Sequence, residues 1–329
     1  MALSLLQAMI GLGLLVFAGD LLVRSSAALA EHIGVPPLLV GLTIVAFGTS
    51  APELFVGVDA VLRNAPDLAI GNVVGSNIAN ALLVVGVPAL LAPMTCSAPR
   101  LNRNMVVMLV ATAVVIALAF TRSFGSLEGV FLLVLLTAYL VYSGWIARRD
   151  PKTAEDILDF EQEIEQAKSR PWLSSGLMLA GLVGLILGAD LLVEGSVDIA
   201  RTLGVPESLI GLTLVALGTS LPELATAVAA ALRGHCDVAL GNVIGSNIFN
   251  LLGILGVVSL FGDIPVPPGF LKVDLWVMLA ASLALLPFTL RSGVVRGRSG
   301  MVLLLAYAAY IGWLAVSGGL AFEPAELSP

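Results

Sequence analysis

Two glutamates lie inside long apolar stretches of the sequence, and each ends the same short motif, Gly-Thr-Ser-x-Pro-Glu. A carboxylate at membrane depth costs about 2.5–3.5 kcal/mol on insertion scales, so each glutamate is expected to face a polar cavity that holds a cation. The hydroxyl residues stand three and four positions earlier, a spacing that places side chains on one helix face. The predicted hard oxygen ligands are Thr49, Ser50, Glu53, Thr219, Ser220 and Glu223.

A proline directly precedes each of these glutamates, Pro52 in the first motif and Pro222 in the second. Proline lacks the backbone N–H of a helix and pushes away the carbonyl four residues earlier. The carbonyls of residues 46–48 and 216–218 are therefore expected to lack helical partners. Unpaired backbone is tolerated at membrane depth where it lines a polar site, so these carbonyls would add to the ligand set.

A second motif, Gly-Asn-Val-x-Gly-Ser-Asn-Ile-x-Asn, follows each glutamate motif on the next apolar stretch. Its polar residues recur every four positions and so share one helix face. Amide and hydroxyl oxygens suit hard cations, whereas zinc and copper prefer histidine and cysteine, which are absent from these motifs. The face comprises Asn72, Ser76 and Asn80 in the first copy, and Asn242, Ser246 and Asn250 in the second.

Charge balance narrows the choice of ion. Two carboxylates are neutralised by one Ca²⁺ or by two Na⁺, and Ca²⁺ takes about 6–8 oxygen ligands in flexible geometry. A loaded site would be nearly neutral, whereas an empty ionised site would be costly to move through hydrocarbon. This asymmetry favours obligatory exchange of ions over leak. No catalytic group and no resident cofactor is predicted, because the ions are cargo.

The composition requires a membrane to position these motifs. Of 329 residues, 58% are hydrophobic and 12% are charged, about half the charged fraction of soluble domains. This excludes an ordinary soluble enzyme, and the absence of a basic patch excludes a nucleic-acid partner. No obligatory protein partner is evident. Ten apolar runs are long enough to span a bilayer; they cover residues 3–29, 38–61, 68–92, 104–121, 126–147, 173–199, 208–231, 238–261, 273–290 and 300–320.

An internal repeat organises these runs. Residues 41–80 and 211–250 align without a gap, and 25 of 40 positions are identical. Each half then holds five spans, and because five is odd the second half must enter the membrane inverted, as in many secondary transporters. The sequence predicts an all-α membrane protein of ten transmembrane helices. Its parts are a first repeat at 1–147, a linker at 148–171 and an inverted second repeat at 172–329.

Basic residues set the expected orientation. Twelve of the sixteen Lys and Arg residues fall on the linker side of the predicted spans, which favours a cytoplasmic linker and both termini outside, in the inner membrane of a prokaryote. Asp20 and Asp190 form a further repeated pair near the ends of their spans. Asp20 is expected to pair with Arg24 four residues later, and a role in ion entry or gating stays open.

At the doubled motifs GTSxPE and GNxxGSNI, the chain resembles the calcium/cation antiporter superfamily, and most of all its prokaryotic sodium/calcium exchangers. The resemblance implies two inverted five-helix halves and alternating access, with Na⁺ entry driving Ca²⁺ extrusion. It also implies roles for the motif residues. Both ions would share Glu53 and Glu223, and the ligands beside them would be Thr49, Ser50, Thr219 and Ser220. The outer sodium sites would include Ser76 and Ser246. A central pair would consist of Asn80 and Asn250.

Two departures from the family pattern matter. Some members carry Asp where this chain has Asn250, so a third carboxylate is missing here, which bears on the sodium stoichiometry and argues against potassium co-transport. The short linker cannot hold the calcium-sensing domains of animal exchangers. The alternative function is H⁺/Ca²⁺ antiport through the same glutamates. A passive channel would place its symmetry between subunits, and an intramembrane protease would need a catalytic pair that the motifs do not provide.

Overall fold

We describe the chain from a computed structural model. The structure describes residues 2–33, 45–92, 94–95, 99–147, 171–203, 216–289 and 294–316. Within these ranges the chain is almost entirely helical, as the apolar runs predict. The predicted linker, apart from Pro171, lies outside the described residues.

The helices of the two halves correspond closely. The short helices that carry the glutamates begin 170 residues apart and both have 12 residues, and the first helix of each half has 32 residues. In the first half the helices are α1 (Ala2–Ile33), α2 (Ala46–Thr49), α3 (Ala51–Leu62), α4 (Pro66–Leu91), α5 (Pro99–Ala119) and α6 (Ser126–Ala147). In the second half they are α7 (Pro171–Thr202), α8 (Ala216–Gly218), α9 (Leu221–Leu232), α10 (Cys236–Val258), α11 (Phe270–Thr289) and α12 (Gly297–Val316).

Eight of these helices are long and apolar enough to cross a membrane: α1, α4, α5, α6, α7, α10, α11 and α12. They match eight of the ten predicted spans. The other two predicted spans, 38–61 and 208–231, extend into residues outside the described ones, and their described parts are the short helices α2, α3, α8 and α9. The count of ten membrane crossings therefore stays a prediction.

The long helices α1 and α7 pack against each other through glycines. A Cβ at Gly11 would lie 2.5 Å from the backbone nitrogen of Leu192, and one at Gly195 would lie 2.6 Å from the carbonyl oxygen of Ser4. Residues early in α1 thus contact residues late in α7, so the two helices are antiparallel. The close packing continues along α7, since a Cβ at Gly184 would lie 2.8 Å from the Cβ of Ala18.

Two short antiparallel sheets join the halves. Strand β1 (Met94–Thr95) pairs with β4 (Val294–Val295), and β2 (Ser123–Phe124) pairs with β3 (Ile264–Pro265). The strands β1 and β3 stand at the same offset of 170 as the repeated motifs. Each sheet therefore pairs a strand of one half with a strand of the other. The second sheet repeats the first with the roles of the two halves exchanged.

The polar motifs lie at the centre of the helix bundle. Nearly every residue of α10 is buried, as is most of α4, whereas α1 exposes large apolar side chains such as Leu3 and Met9, which are 76% and 71% exposed. Apolar surface of this extent marks contact with a membrane. The helices that carry the asparagine motifs are thus surrounded by helices that face lipid.

Candidate ion-binding site

Both glutamate motifs interrupt a helix. Helix α2 ends at Thr49 and α3 begins at Ala51, with Ser50 between them at φ −85° and ψ 7°. In the second half α9 begins after Ser220, which has nearly the same conformation, φ −87° and ψ 2°. The prolines lie in the first turn of α3 and α9, where a missing N–H breaks no helical hydrogen bond. The sequence-based interpretation of the prolines as helix breakers is confirmed.

The breaks leave fewer carbonyls free than the sequence suggested. The Ser50 backbone N–H donates to the Ala46 carbonyl at 3.0 Å, and the Ser220 N–H donates to the Leu217 carbonyl at 3.1 Å. The expectation of unpartnered carbonyls is therefore wrong for Ala46 and Leu217. The serine that follows each short helix thus closes its last turn, and side-chain oxygens make up the greater part of the candidate site.

The two glutamates lie in the first turns of α3 and α9 and are fully buried. Each faces hydroxyls of the other half. The Ser50 hydroxyl donates to Glu223 Oε1 at 2.9 Å, and the Thr219 hydroxyl lies next to the Glu53 carboxylate without a hydrogen bond. The carboxylates are close enough to repel each other. The motifs of the two halves therefore form one site, with each glutamate surrounded by groups of both halves.

Many oxygens of this site have no hydrogen-bond partner among the described residues. Both Glu53 oxygens are in this group, and so is Glu223 Oε2, although Glu223 Oε1 accepts from Ser50 and, at 3.4 Å, from Ser246. Buried polar groups in proteins are nearly always satisfied by protein, water or ion partners. A concentration of such oxygen atoms, three of them from carboxylates, is what a binding site for hard cations requires. The other unpartnered side-chain oxygens of the motifs belong to Ser76, Asn77, Asn80, Thr219, Ser220, Asn242, Asn247 and Asn250.

The asparagine helices complete the site in a crossed arrangement. The short helix α2 packs against the Cys236–Ile248 part of α10, and α8 packs against the Pro66–Ala79 part of α4. A ring contact joins the same halves, since Phe47 and Phe249 meet edge to face at 4.9 Å between centroids. Each broken helix thus lies on the asparagine helix of the opposite half. In the described structure Ser246 of α10 reaches the site, since its hydroxyl lies 3.4 Å from Glu223 Oε1.

The predicted central pair, Asn80 and Asn250, lies in π-helical segments. These segments are Asn80–Val84 within α4 and Phe249–Ile254 within α10. The first contacts α9 and the second contacts α3, so each asparagine segment lies against the helix that carries a glutamate of the other half. Short π-helical segments occur often at functional sites. Nothing in the sequence motif signalled them.

Two further asparagines of the motif hold the helices together. The Asn72 amide donates to the Glu53 carbonyl at 3.1 Å and fixes α4 against α3. The Asn247 amide, which is buried, lies 3.5 Å from the Asn77 carbonyl and joins α10 to α4. Sequence reasoning did not single out Asn77 and Asn247, although their repetition at the offset of 170 could have identified them.

All ten residues predicted for the site are described by the structure. Nine are buried, with exposed fractions of 2% or less, and Thr219 is half-buried. The structure places the glutamates and their neighbouring hydroxyls together, and it places the asparagine segments against the same helices. Among the described residues, no group of three or more His, Cys, Asp or Glu side chains could hold a metal. A cation bound between the two carboxylates would need hydroxyl and amide oxygens as its further ligands.

Comparison with known proteins identifies the family. The model of the sodium/calcium exchanger protein family matches residues 3–145 and 173–316. The chain belongs to this family. Its members are ion exchangers and hence transporters, which agrees with the antiporter predicted from the doubled motifs.

Individual relatives are similar over nearly the full length. The sodium/calcium exchanger MaX1 of Methanosarcina acetivorans is 34% identical, covering 92% of this chain and 96% of its own. The inner membrane protein YrbG of Escherichia coli is 35% identical over 93% of this chain and 94% of its own. Among solved structures, the sodium-calcium exchanger NCX_Mj soaked with zero Na⁺ and Ca²⁺ matches with a TM-score of 0.81 at 34% identity, covering 95% of this chain and 99% of that one.

Proposed function

We propose that this chain exchanges Na⁺ for Ca²⁺ across the membrane by alternating access and normally extrudes Ca²⁺. The observation that carries the proposal is the pair of buried glutamates, one from each half, together with oxygens of both halves that find no hydrogen-bond partner within the described ranges. The proposed ligands are those predicted from sequence: Glu53, Glu223, Thr49, Ser50, Thr219, Ser220, Ser76, Ser246, Asn80 and Asn250. No resident cofactor takes part in this proposal.

Charge explains why such a site exchanges ions. Glu53 and Glu223 together carry two negative charges in a buried environment when both are ionised, and one Ca²⁺ or two Na⁺ compensate them. Without a cation the repulsion and desolvation of the pair oppose any movement that carries the site between the two sides. The protein can therefore change the side to which it exposes the site when the site is loaded, but not when it is empty. Transport of one ion is thereby coupled to return of the other.

The hydroxyl and amide groups favour Na⁺ as the counter-ion. A proton would bind the carboxylates alone and would leave Ser220, Asn80 and Asn250 without partners, whereas Na⁺ takes oxygen ligands of these types. H⁺/Ca²⁺ antiport is nonetheless the second candidate, because three of the four carboxylate oxygens have no hydrogen-bond partner in the described part of the chain, and a protonated glutamate is tolerated at depth.

The distribution of basic residues supports the orientation in which both termini lie outside and 148–171 lies in the cytoplasm of a prokaryotic cell. In this orientation the inward Na⁺ gradient drives Ca²⁺ out. The two halves would expose the same site alternately to the two sides, as inverted repeats do in other transporters.

The experiment uses purified protein in liposomes and radioactive Ca²⁺. One set of vesicles is loaded with Na⁺ at equal pH on both sides, and a matched set carries a pH gradient without Na⁺. Uptake that requires internal Na⁺ supports the proposal. Uptake that follows only the pH gradient would replace it with H⁺/Ca²⁺ antiport, and uptake that needs neither gradient would contradict coupled exchange altogether.

A further inference from the structure

An ion pair joins the two halves at one end of the helix bundle. The Arg233 Nε donates to Asp20 Oδ1 at 2.6 Å, and Arg24 binds the other oxygen of Asp20 at 3.0 Å. Asp20 lies in α1 of the first half, whereas Arg233 ends α9 of the second half. Sequence reasoning expected the contact with Arg24, which the structure contains, and did not expect the contact with Arg233.

These charged residues line a cavity of about 1230 Å³ between α1 and α9. Its apolar wall includes Leu15 and Leu221, and Leu221 adjoins Ser220 of the ion site. The lining thus extends along α9 from Leu221 to Arg233, and the basic residues assign the Arg233 end to the cytoplasm. The side chains of Asp20 and Arg233 are 36% and 31% exposed.

The equivalent residues at the opposite end are arranged differently. At the offset of 170, Asp190 corresponds to Asp20 and Arg63 to Arg233. Both residues are described and exposed, and no ion pair joins them to each other. Arg63 is instead held on its own helix by Asp59, with 2.8 Å between Nε and Oδ1. The position that corresponds to Asp59 in the second half is Ala229, so Arg233 has no such competitor and reaches across to α1.

The acidic groups near Asp190 would attract Arg63. In α7, Glu194 lies one turn after Asp190 and adds a second negative charge, where α1 has the basic Arg24. The carboxylate of Glu194 accepts a hydrogen bond from Gln7 at 2.8 Å, and Asp190 remains exposed. An arginine released from Asp59 would therefore meet two acids.

We propose that Asp20–Arg233 and Asp190–Arg63 are alternating ion pairs, of which the first stabilises the state described here and the second the opposite-facing state. The inference rests on the proposed alternating access, in which inverted repeats exchange conformations. Asp59 biases the equilibrium toward the present state, because it holds Arg63 back. Asp20, Arg233, Asp190 and Arg63 are thus positioning residues of the transport cycle and bind no ion.

The test is hydrogen–deuterium exchange with mass spectrometry on the full chain in lipid nanodiscs. Exchange rates are compared for peptides from residues 221–232, which line the cavity, and from 51–62, their counterparts. The ratio of the exchange rate of 221–232 to that of 51–62 follows the equilibrium between the states, because local exchange reports the population of open forms. Loss of a partly exposed ion pair changes an equilibrium by about two- to fivefold.

Asp20→Asn and Arg233→Gln should each lower this ratio about two- to fivefold, and the double variant should lower it no further. Asp59→Ala, which copies Ala229, should lower it in the same direction by releasing Arg63. Asp190→Asn should cancel the effect of Asp59→Ala. An unchanged ratio in Asp20→Asn, or an Asp59→Ala effect that persists in Asp59→Ala/Asp190→Asn, would overturn the proposal.

Radioactive Ca²⁺ exchange in the same variants separates the two proposals. If wild-type protein exchanges Ca²⁺ for Na⁺ while the ratio is insensitive to all four substitutions, the ion-pair proposal fails alone. If wild-type protein shows no Na⁺-driven exchange, the proposed function fails. Size-exclusion chromatography verifies that each variant folds, and Arg233→Gln provides a second route to the same pair if Asp20→Asn is unstable.

Discussion

Replacement of one glutamate by its neutral isostere should separate Ca²⁺ binding from Na⁺ binding. In Glu53→Gln the site keeps its shape and retains a single carboxylate, Glu223. One Na⁺ neutralises that carboxylate, whereas one Ca²⁺ leaves an uncompensated positive charge in a fully buried site. Ca²⁺ affinity is therefore expected to fall much further than Na⁺ affinity.

The burial of the glutamates sets the size of the effect. Both side chains are 0% exposed, so solvent does not screen the charge that the substitution leaves unpaired. Removal of one partner from a buried ionic interaction costs about 3–5 kcal/mol. Since each 1.4 kcal/mol is a factor of ten, the dissociation constant of Ca²⁺ should rise about a hundredfold to several thousandfold.

Isothermal titration calorimetry of the purified protein measures both ions. Glu128→Gln is the matched control, because it makes the same chemical change in a glutamate at the start of α6, outside the site and the proposed ion pairs, and it should leave both affinities unchanged. A loss of Ca²⁺ affinity below tenfold in Glu53→Gln, or an equal loss for Na⁺ and Ca²⁺, would refute the charge-balance reasoning.

Three further predictions concern packing, the unloaded site and the sodium stoichiometry. Gly11→Ala should destabilise the protein by about 1–3 kcal/mol, because the new Cβ would lie 2.5 Å from the backbone of α7. Gly13→Ala is the control and should have no such effect, because its Cβ would meet nothing within 4 Å. Thermal unfolding in detergent measures both variants, and equal effects would contradict the packing of α1 against α7. In the absence of ions, Ser50→Ala should lower the free energy of unfolding by about 1.5–3 kcal/mol, because it removes the hydrogen bond to the Glu223 carboxylate. Ser220→Ala should lower it less in the same assay, because the Ser220 hydroxyl has no partner among the described residues. Asn250→Asp adds a third carboxylate and should steepen the sodium dependence of exchange; an unchanged Hill coefficient would place Asn250 outside the site.

The local features of the site follow from sequence because they depend on neighbouring residues. Pro52 predicts a helix break within four residues, and the break occurs at Ser50. The burial of Glu53 and Glu223 follows from their place in apolar runs, because a charged group exposed to lipid is costly and an interior cavity avoids that cost. Repetition then predicts that both halves contribute equally.

The contacts between the halves could not be predicted in the same way. Ser50 was expected beside Glu53, which is near in sequence, yet its hydroxyl bonds Glu223 of the other half. Likewise the preference of Arg233 for Asp20 depends on how α1 lies against α9. Such partners are set by the packing of helices far apart in sequence, and the spacing of residues within one helix carries no information about them.

The carbonyl groups at the breaks show a second limit. The missing N–H of Pro52 frees the carbonyl four residues earlier, that of Gly48, whereas the Ala46 carbonyl, also expected to be free, accepts from the Ser50 N–H. The π-helical segments at Asn80 and Asn250 are a similar case, since no residue of the motif predicts them. Backbone adjustments of this kind need the tertiary structure.

The central claim is that one buried site, formed by Glu53 and Glu223, serves both ions in turn. Equilibrium binding of radioactive Ca²⁺ to the purified protein during titration with Na⁺ tests it most directly. The account predicts that Na⁺ displaces all bound Ca²⁺ with a Hill coefficient above one, because at least two Na⁺ replace each Ca²⁺. Ca²⁺ that stays bound at saturating Na⁺ would show separate sites and would contradict the account.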